Sequence, residues 1–270
     1  ARTLRLSVSS PVTPWRHWDA ELASGAMRPL PSPHDHGFPG FDPSLYACEL
    51  LTAPANDGVE VPMTVTWRPD RLRPDGNNPA LLVVYGAYGQ CLDSEWQPSR
   101  LSMLDRGWVV ALCHVRGGGE QGNTWHHAGR QLRKLNSFHD LAACAARLKR
   151  GRLTRAGSMA VQGHSAGGLA VGAVLHLYPG LFAAAIARVP FVDPLATMLD
   201  PSLPLTQHEY DEWGDVRQSE VAGYVGGYSP CDNVRRQAWP WVYATAAYAD
   251  TRVGYWEPAR WVARLRAAGA

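Results

Sequence analysis

A chain of 270 residues, 46% hydrophobic and 19% charged, is long enough to bury a substantial core, as one large domain or as a domain plus an appendage. Its formal charge of +2 carries no basic stripe and excludes nucleic acid as an expected partner. No run approaches the ~18 apolar residues of a membrane span, and no signal-peptide core opens the chain, so no membrane partner is expected. The cysteines (Cys48, Cys91, Cys113, Cys144 and Cys231) are odd in number and form no C-x-x-C. They read as free thiols in a reducing, cytoplasmic compartment. No motif calls for a metal or another cofactor.

In chain order, residues 4–8 form one weak strand, followed by Pro-rich, Trp-containing text too short for its own core. Residues 31–43 have loop composition. His34 and His36 there are spaced H-x-H, but with no carboxylate cluster beyond Asp35 they read as a solvated loop rather than a metal site. Residues 59–67 alternate as a strand does. Residues 80–85 and 107–113 are continuous apolar runs, the pattern of strands buried on both faces of a parallel sheet. A short helix is expected between them over 98–106. Residues 137–150 form a helix with Phe138, Leu141, Cys144, Ala145 and Leu148 on one stripe. Strands over 159–162, 183–189 and 241–246, and helices over 166–178 and 258–268, complete the pattern. Strands alternating with helices predict an α/β, doubly wound, mostly parallel sheet with flanking helices.

The chemistry centres on Gly163-His164-Ser165-Ala166-Gly167, a G-x-S-x-G between an apolar strand and a helix. That is the nucleophile elbow of an α/β-hydrolase. Ser165 must sit on a strained turn that exposes its hydroxyl, and side chains at Gly163 and Gly167 would crowd the neighbouring elements. A serine needs a base to take its proton and an acid to orient that base. In this architecture the acid follows a late strand. Asp250 fits, while Asp193, Asp200, Asp211, Asp215 and Asp232 qualify by order alone. All ten histidines lie at or before His208, so none follows Asp250. His164 is turned aside by the elbow geometry and reads as a packing residue. His208 could serve only through an unusual chain path. For the oxyanion, the amide of Ala166 is one expected donor. A second should come from the loop Gly86-Ala87-Tyr88-Gly89, where the Tyr88 hydroxyl could replace a backbone donor. The run Arg116-Gly117-Gly118-Gly119-Glu120 lacks the features of a phosphate loop.

Several segments resemble the peptidase domain of the prolyl oligopeptidase family, above all its oligopeptidase B branch. They are PGFDPSLY, DGVEVPMTV, VVYGAYGQCLDSEW, SRLSMLDRGWVVALCHVRGGGEQGNTWHHAG, VPFVDPLATMLDPSLPLT, EYDEWG, YSPCDNV and DTRVGYWEPARWVARLR. The resemblance spans nearly the whole chain. It implies Ser165 as nucleophile, Asp250 as triad acid, Tyr88 as side-chain oxyanion donor and Arg252 as a ligand for a substrate carbonyl. It also implies cleavage after Arg or Lys. The paired glutamates of that branch match Glu209 and Asp211, and further acidic residues match Asp93 and Glu95. The Arg116–Glu120 run becomes a structural loop near the active site.

Family members carry an upstream seven-bladed propeller and continue past the final helix to the catalytic histidine. Residues 1–40 are therefore expected to be a propeller remnant with a linker, and residues 41–270 a peptidase domain cut before that histidine. The expected function is an oligopeptidase acting on short peptides through an acyl-Ser165 intermediate. An esterase or thioesterase-like serine hydrolase, or a catalytically incomplete binding protein, are the alternatives.

Overall fold

The computed structural model describes residues 2–31 and 41–270, so His34 and His36 lie outside the described residues. The strands in chain order are β1 Thr3–Ser10, β2 Thr13–Glu21, β3 Met27–Leu30, β4 Ala47–Pro54, β5 Glu60–Trp67, β6 Ala80–Val84, β7 Val109–Cys113, β8 Met159–His164, β9 Ala184–Arg188 and β10 Trp241–Thr245. The helices are α1 Leu101–Leu104, α2 Asn123–His127, α3 Leu135–Arg150, α4 Ala166–Leu177, α5 Pro194–Leu199, α6 Tyr210–Trp213, α7 Ser219–Tyr228 and α8 Trp256–Ala267.

A seven-stranded sheet in the order β10-β9-β8-β6-β7-β5-β4 forms the centre. Strands β10, β9, β8, β6 and β7 run parallel, and β5 and β4 pair antiparallel on one side. This is the doubly wound, mostly parallel α/β arrangement that the alternation of elements predicts. The central strands are apolar because both their faces are covered: every residue of β7 is buried, as are Ala80, Leu81, Leu82 and Val84 of β6. Helices α3 and α4 pack against each other and against the sheet. The expected stripe of α3, with Phe138, Leu141, Cys144, Ala145 and Leu148, faces the core. All five cysteines are free thiols.

The segment before the sheet differs from its one-strand reading. It is a three-stranded antiparallel meander, β1-β2-β3, in which Arg5 lies opposite Asp19 and holds it by two hydrogen bonds of 2.9 and 3.1 Å. Strand β2 carries Pro14 and hides almost no residue fully, so no apolar alternation marks it. Edge strand β4 was unmarked for the same reason, with Leu50 72% exposed.

Because five strands run parallel, the loops leaving β6, β7, β8, β9 and β10 all emerge at one edge of the sheet. A site in an open α/β sheet belongs there. Helix α8 packs on edge strand β10, whose Trp241 and Tyr243 are exposed. Its own anchor is the fully buried Trp261. Trp261→Ala should destabilise the chain by about 3–5 kcal/mol through lost burial and the cavity left behind. The expected readout is a lower denaturant midpoint with an unchanged slope.

Candidate active site

Ser165 sits where β8 turns into α4, with φ 52° and ψ −121°. A side-chain-bearing residue at positive φ is strained and persists only where its surroundings over-determine it. Here the Ser165 amide donates to the Arg188 carbonyl at 2.9 Å. Its own carbonyl accepts from Gly168 at 2.9 Å and from Phe191 at 3.0 Å. The flanking glycines are required by close approach. A Cβ on Gly163 would overlap the Gly167 carbonyl, and one on Gly167 would overlap the Val84 carbonyl. Ala166 opens α4, so its amide and that of Gly167 have no intrahelical acceptor.

A cavity of about 450 Å³ opens in front of the serine. Its lining brings Ser165, Asp250, Tyr88, Glu209 and Arg252 together. These five residues come from four segments at the same sheet edge, Asp250 and Arg252 sharing the loop after β10. Asp250 follows β10, as its position after a late strand requires. Its Oδ1 accepts from the amides of Arg252 at 2.8 Å and Val253 at 3.0 Å, which sets the orientation of the carboxylate. Arg252 itself is exposed at the cavity wall. Apolar side chains including Phe191, Met198 and Leu203 complete the lining.

Tyr88 stands at φ 57° in the loop after β6. Its hydroxyl donates to Glu209 Oε2 at 2.8 Å, and the same oxygen accepts from Trp213 Nε1 at 2.8 Å. Desolvation and the Glu209 charge push the phenol pKa well above its usual value.

Three sequence-named groups lie away from the cavity. Asp211 is exposed and outside the lining, although its backbone carbonyl accepts from Gln131 and Arg130. Asp93 and Glu95 also lie outside it. The acid that accompanies Glu209 in its helical turn is Glu212. Helical spacing explains the exchange: positions three apart share a face, whereas positions two apart do not. Glu212 is buried. It accepts from the Tyr88 amide at 3.0 Å and meets His126 Nε2 at 2.6 Å.

Below the same loop, the fully buried Lys134 donates to the Gly86 and Gly129 carbonyls and lies 5.0 Å from the Trp213 ring centroid. Desolvation pulls its pKa down to about 8, opposed by Glu212. The sequence pattern of α3 carried no sign of this lysine, which precedes the apolar stripe.

The Arg116 run is a structural loop in this geometry. Its buried guanidinium pairs with Asp140 of α3 and with Asp57, and the Gly117 carbonyl accepts from the Gly89 amide at 3.0 Å. Among the histidines, His164 lies 5.0 Å from the Tyr85 ring, and desolvation followed by the charge of Arg188 pushes its pKa down. His208 is exposed. No imidazole among the described residues hydrogen-bonds to Ser165 or Asp250. Likewise, no cluster of His, Cys, Asp or Glu among the described residues is arranged to hold a metal ion, and no helix among them is long and apolar enough to cross a membrane.

A strained serine between strand and helix, facing a cavity at the C-terminal edge of a mostly parallel sheet, defines an α/β-hydrolase. Comparison with known proteins specifies the family. The prolyl oligopeptidase family model matches residues 95–270. Dipeptidyl aminopeptidase BI of Pseudoxanthomonas mexicana is 40% identical over 264 residues, which cover 97% of this chain and 36% of the relative. Protease 2 of Moraxella lacunata is 45% identical over 227 residues, covering 84% and 33%.

Solved structures match as well, among them two of oligopeptidase B. Oligopeptidase B from Leishmania major aligns with a TM-score of 0.93 at 39% identity, covering 99% of this chain and 37% of that one. Oligopeptidase B from Trypanosoma brucei, in its closed form with covalently bound antipain, aligns at 0.94 and 42%, with the same coverage. The chain belongs to the prolyl oligopeptidase family. It spans about a third of the length of the curated relatives it matches.

The cavity wall also carries Glu257, the first-turn acid of α8. Desolvation pushes its carboxyl up to about 7, against donors from Thr197, Asp193 and Val192. A folded pKa above the unfolded value means that the folded chain binds the proton more tightly. The resulting stabilisation is therefore present below the ordinary value of 4.5 and lost as pH rises through 7. Denaturant unfolding between about pH 5 and about pH 8 should show stability falling with pH, with a shallower slope in Glu257→Gln.

Proposed function

We propose that this chain is the hydrolytic part of an oligopeptidase that cleaves short peptides after Arg or Lys through an acyl-Ser165 intermediate. The observation that carries the reading is the elbow serine at φ 52°, facing a cavity lined by the carboxylate of Glu209. In the first step Ser165 Oγ attacks the scissile carbonyl, and its proton passes to a base that Asp250 orients. A histidine bridging Asp250 and Ser165 is the group the reaction requires. The carbonyl oxygen becomes an oxyanion, held by the Ala166 amide and the Tyr88 hydroxyl. The base then protonates the leaving amine as the C–N bond breaks, and water repeats the sequence on the acyl-serine. Arg252 at the cavity wall is suited to accept a substrate carbonyl as its hydrogen-bond partner.

Glu209 supplies the negative charge for an Arg or Lys side chain. A guanidinium fits a carboxylate bidentately. With Asp211 exposed and Glu212 bonded to Tyr88 and His126, Glu209 is the carboxylate of this turn that lines the cavity. The β1–β3 meander, which ends at Leu30, supports the reading of residues 1–40 as a remnant of an upstream propeller with a linker, since propeller blades are small antiparallel sheets. The working compartment is proposed to be the cytoplasm, in keeping with five unpaired thiols.

The apolar side of the cavity, with Phe191, Met198 and Leu203, favours a second reading as an esterase for neutral acyl groups. Steady-state kinetics on the complete protein that carries this chain separate the two. Arginyl amides should be turned over with kcat/KM at least about 10²-fold above alanyl amides, and Ser165→Ala should abolish about 10⁴-fold or more of the rate. Turnover of esters with arginyl amides untouched would establish the esterase reading instead.

A further inference from the structure

We infer that Glu209 holds the Tyr88 hydroxyl away from the oxyanion site in the unliganded chain, and that a cationic substrate side chain releases it. The inference rests on the reading of Tyr88 as an oxyanion donor and of Glu209 as the partner of the substrate cation. It concerns how the two act on each other.

A tyrosine hydroxyl carries one proton and donates one strong hydrogen bond at a time. In the structure that bond goes to Glu209 Oε2 at 2.8 Å. The acceptor is a carboxylate, so the bond is charge-assisted and stronger than one to a neutral carbonyl oxygen. The phenol ring has little freedom to serve both partners by moving. Its backbone is held at φ 57° by the bond from the Tyr88 amide to Glu212, and its ring meets Trp213 edge-on with centroids 5.6 Å apart. The soft coordinates are the hydroxyl torsion and the Glu209 side chain.

For a neutral substrate, the developing oxyanion must compete with Glu209 for the Tyr88 proton. A guanidinium or ammonium beside Glu209 changes the competition. It takes over the carboxylate, weakens Glu209 as an acceptor for Tyr88, and leaves the hydroxyl free to turn towards the oxyanion. Recognition of the cation is then expressed in the transition state and not solely in binding, so it appears in kcat as well as in KM. Trp213 Nε1, which shares the same oxygen, keeps Glu209 in place during the exchange.

Two experiments test this coupling. The first uses the 270-residue chain labelled with 3-fluorotyrosine, in which the Tyr88 resonance is identified by its loss in Tyr88→Phe. Benzamidine should shift that resonance, and Glu209→Gln should reproduce the direction of the shift without benzamidine. The second uses kinetics on the complete protein with p-nitrophenyl acetate as a neutral substrate. Glu209→Leu should raise kcat by roughly tenfold, a fraction of the ~10²–10³ that one oxyanion donor contributes. The gain should vanish in the Tyr88→Phe/Glu209→Leu double variant. Glu209→Gln keeps the shape and a neutral acceptor, so it should show a smaller gain of the same sign and serves if the leucine variant does not fold. No gain in either Glu209 variant, or a gain that survives loss of the Tyr88 hydroxyl, overturns the coupling. Failure of the cation reading registers separately, as absence of benzamidine binding and of preference for arginyl amides, while the neutral-ester comparison still decides the coupling.

Discussion

The backbone of Ser165 is the constraint on which the rest of this structure depends. A serine at positive φ costs of order 1–3 kcal/mol, which the surroundings must outweigh. The outweighing terms are local: the bond to Arg188, the bonds from Gly168 and Phe191, and tight packing that leaves no room for a Cβ at Gly163 or Gly167. This turn brings β8, β6 and the start of α4 into contact across bare backbone. It also points one hydroxyl at the edge where the loops of four neighbouring parallel strands converge.

The loop after β6 is held by a different means. Lys134, Glu212 and His126 lie beneath it, two of them buried and all engaged with backbone or with one another. Burying such charges is expensive, and well-packed apolar residues commonly replace buried ion pairs without loss of stability. Their value here is geometric. Lys134 fixes the carbonyl of Gly86 while Glu212 fixes the amide of Tyr88, so the segment between them is pinned at both ends with Tyr88 at φ 57°. The loop that presents the tyrosine is therefore rigid in its backbone and adjustable at its hydroxyl.

The acidic turn Glu209-Tyr210-Asp211-Glu212 shows how close sequence reasoning came to the site and where it stopped. Glu209 was legible through its resemblance to a family motif, and it lines the cavity. Its expected companion Asp211 is turned to water. The periodicity of a helical turn, available in the sequence, would have selected Glu212 instead. What no periodicity could have shown is that Glu212 is spent on an amide and an imidazole from distant segments, leaving Glu209 as the acid of this turn that lines the cavity. The missed strands have a shared cause. β2 and β4 bury too little of either face to impose alternation on their residues.

By itself the sequence determined the α/β architecture, because strands covered on both faces must be continuously apolar and a helix stripe must repeat at its own period. It also determined the elbow, because a turn this tight admits few residues other than glycine at its flanks. Tertiary structure decided which carboxylates face the cavity, which charges are buried, and that the Tyr88 hydroxyl and Glu209 are joined. Those outcomes depend on contacts between residues more than 80 positions apart, such as Tyr88 with Glu209 and His126 with Glu212. No local pattern encodes such pairs, because each partner's surroundings exist only once the sheet has assembled.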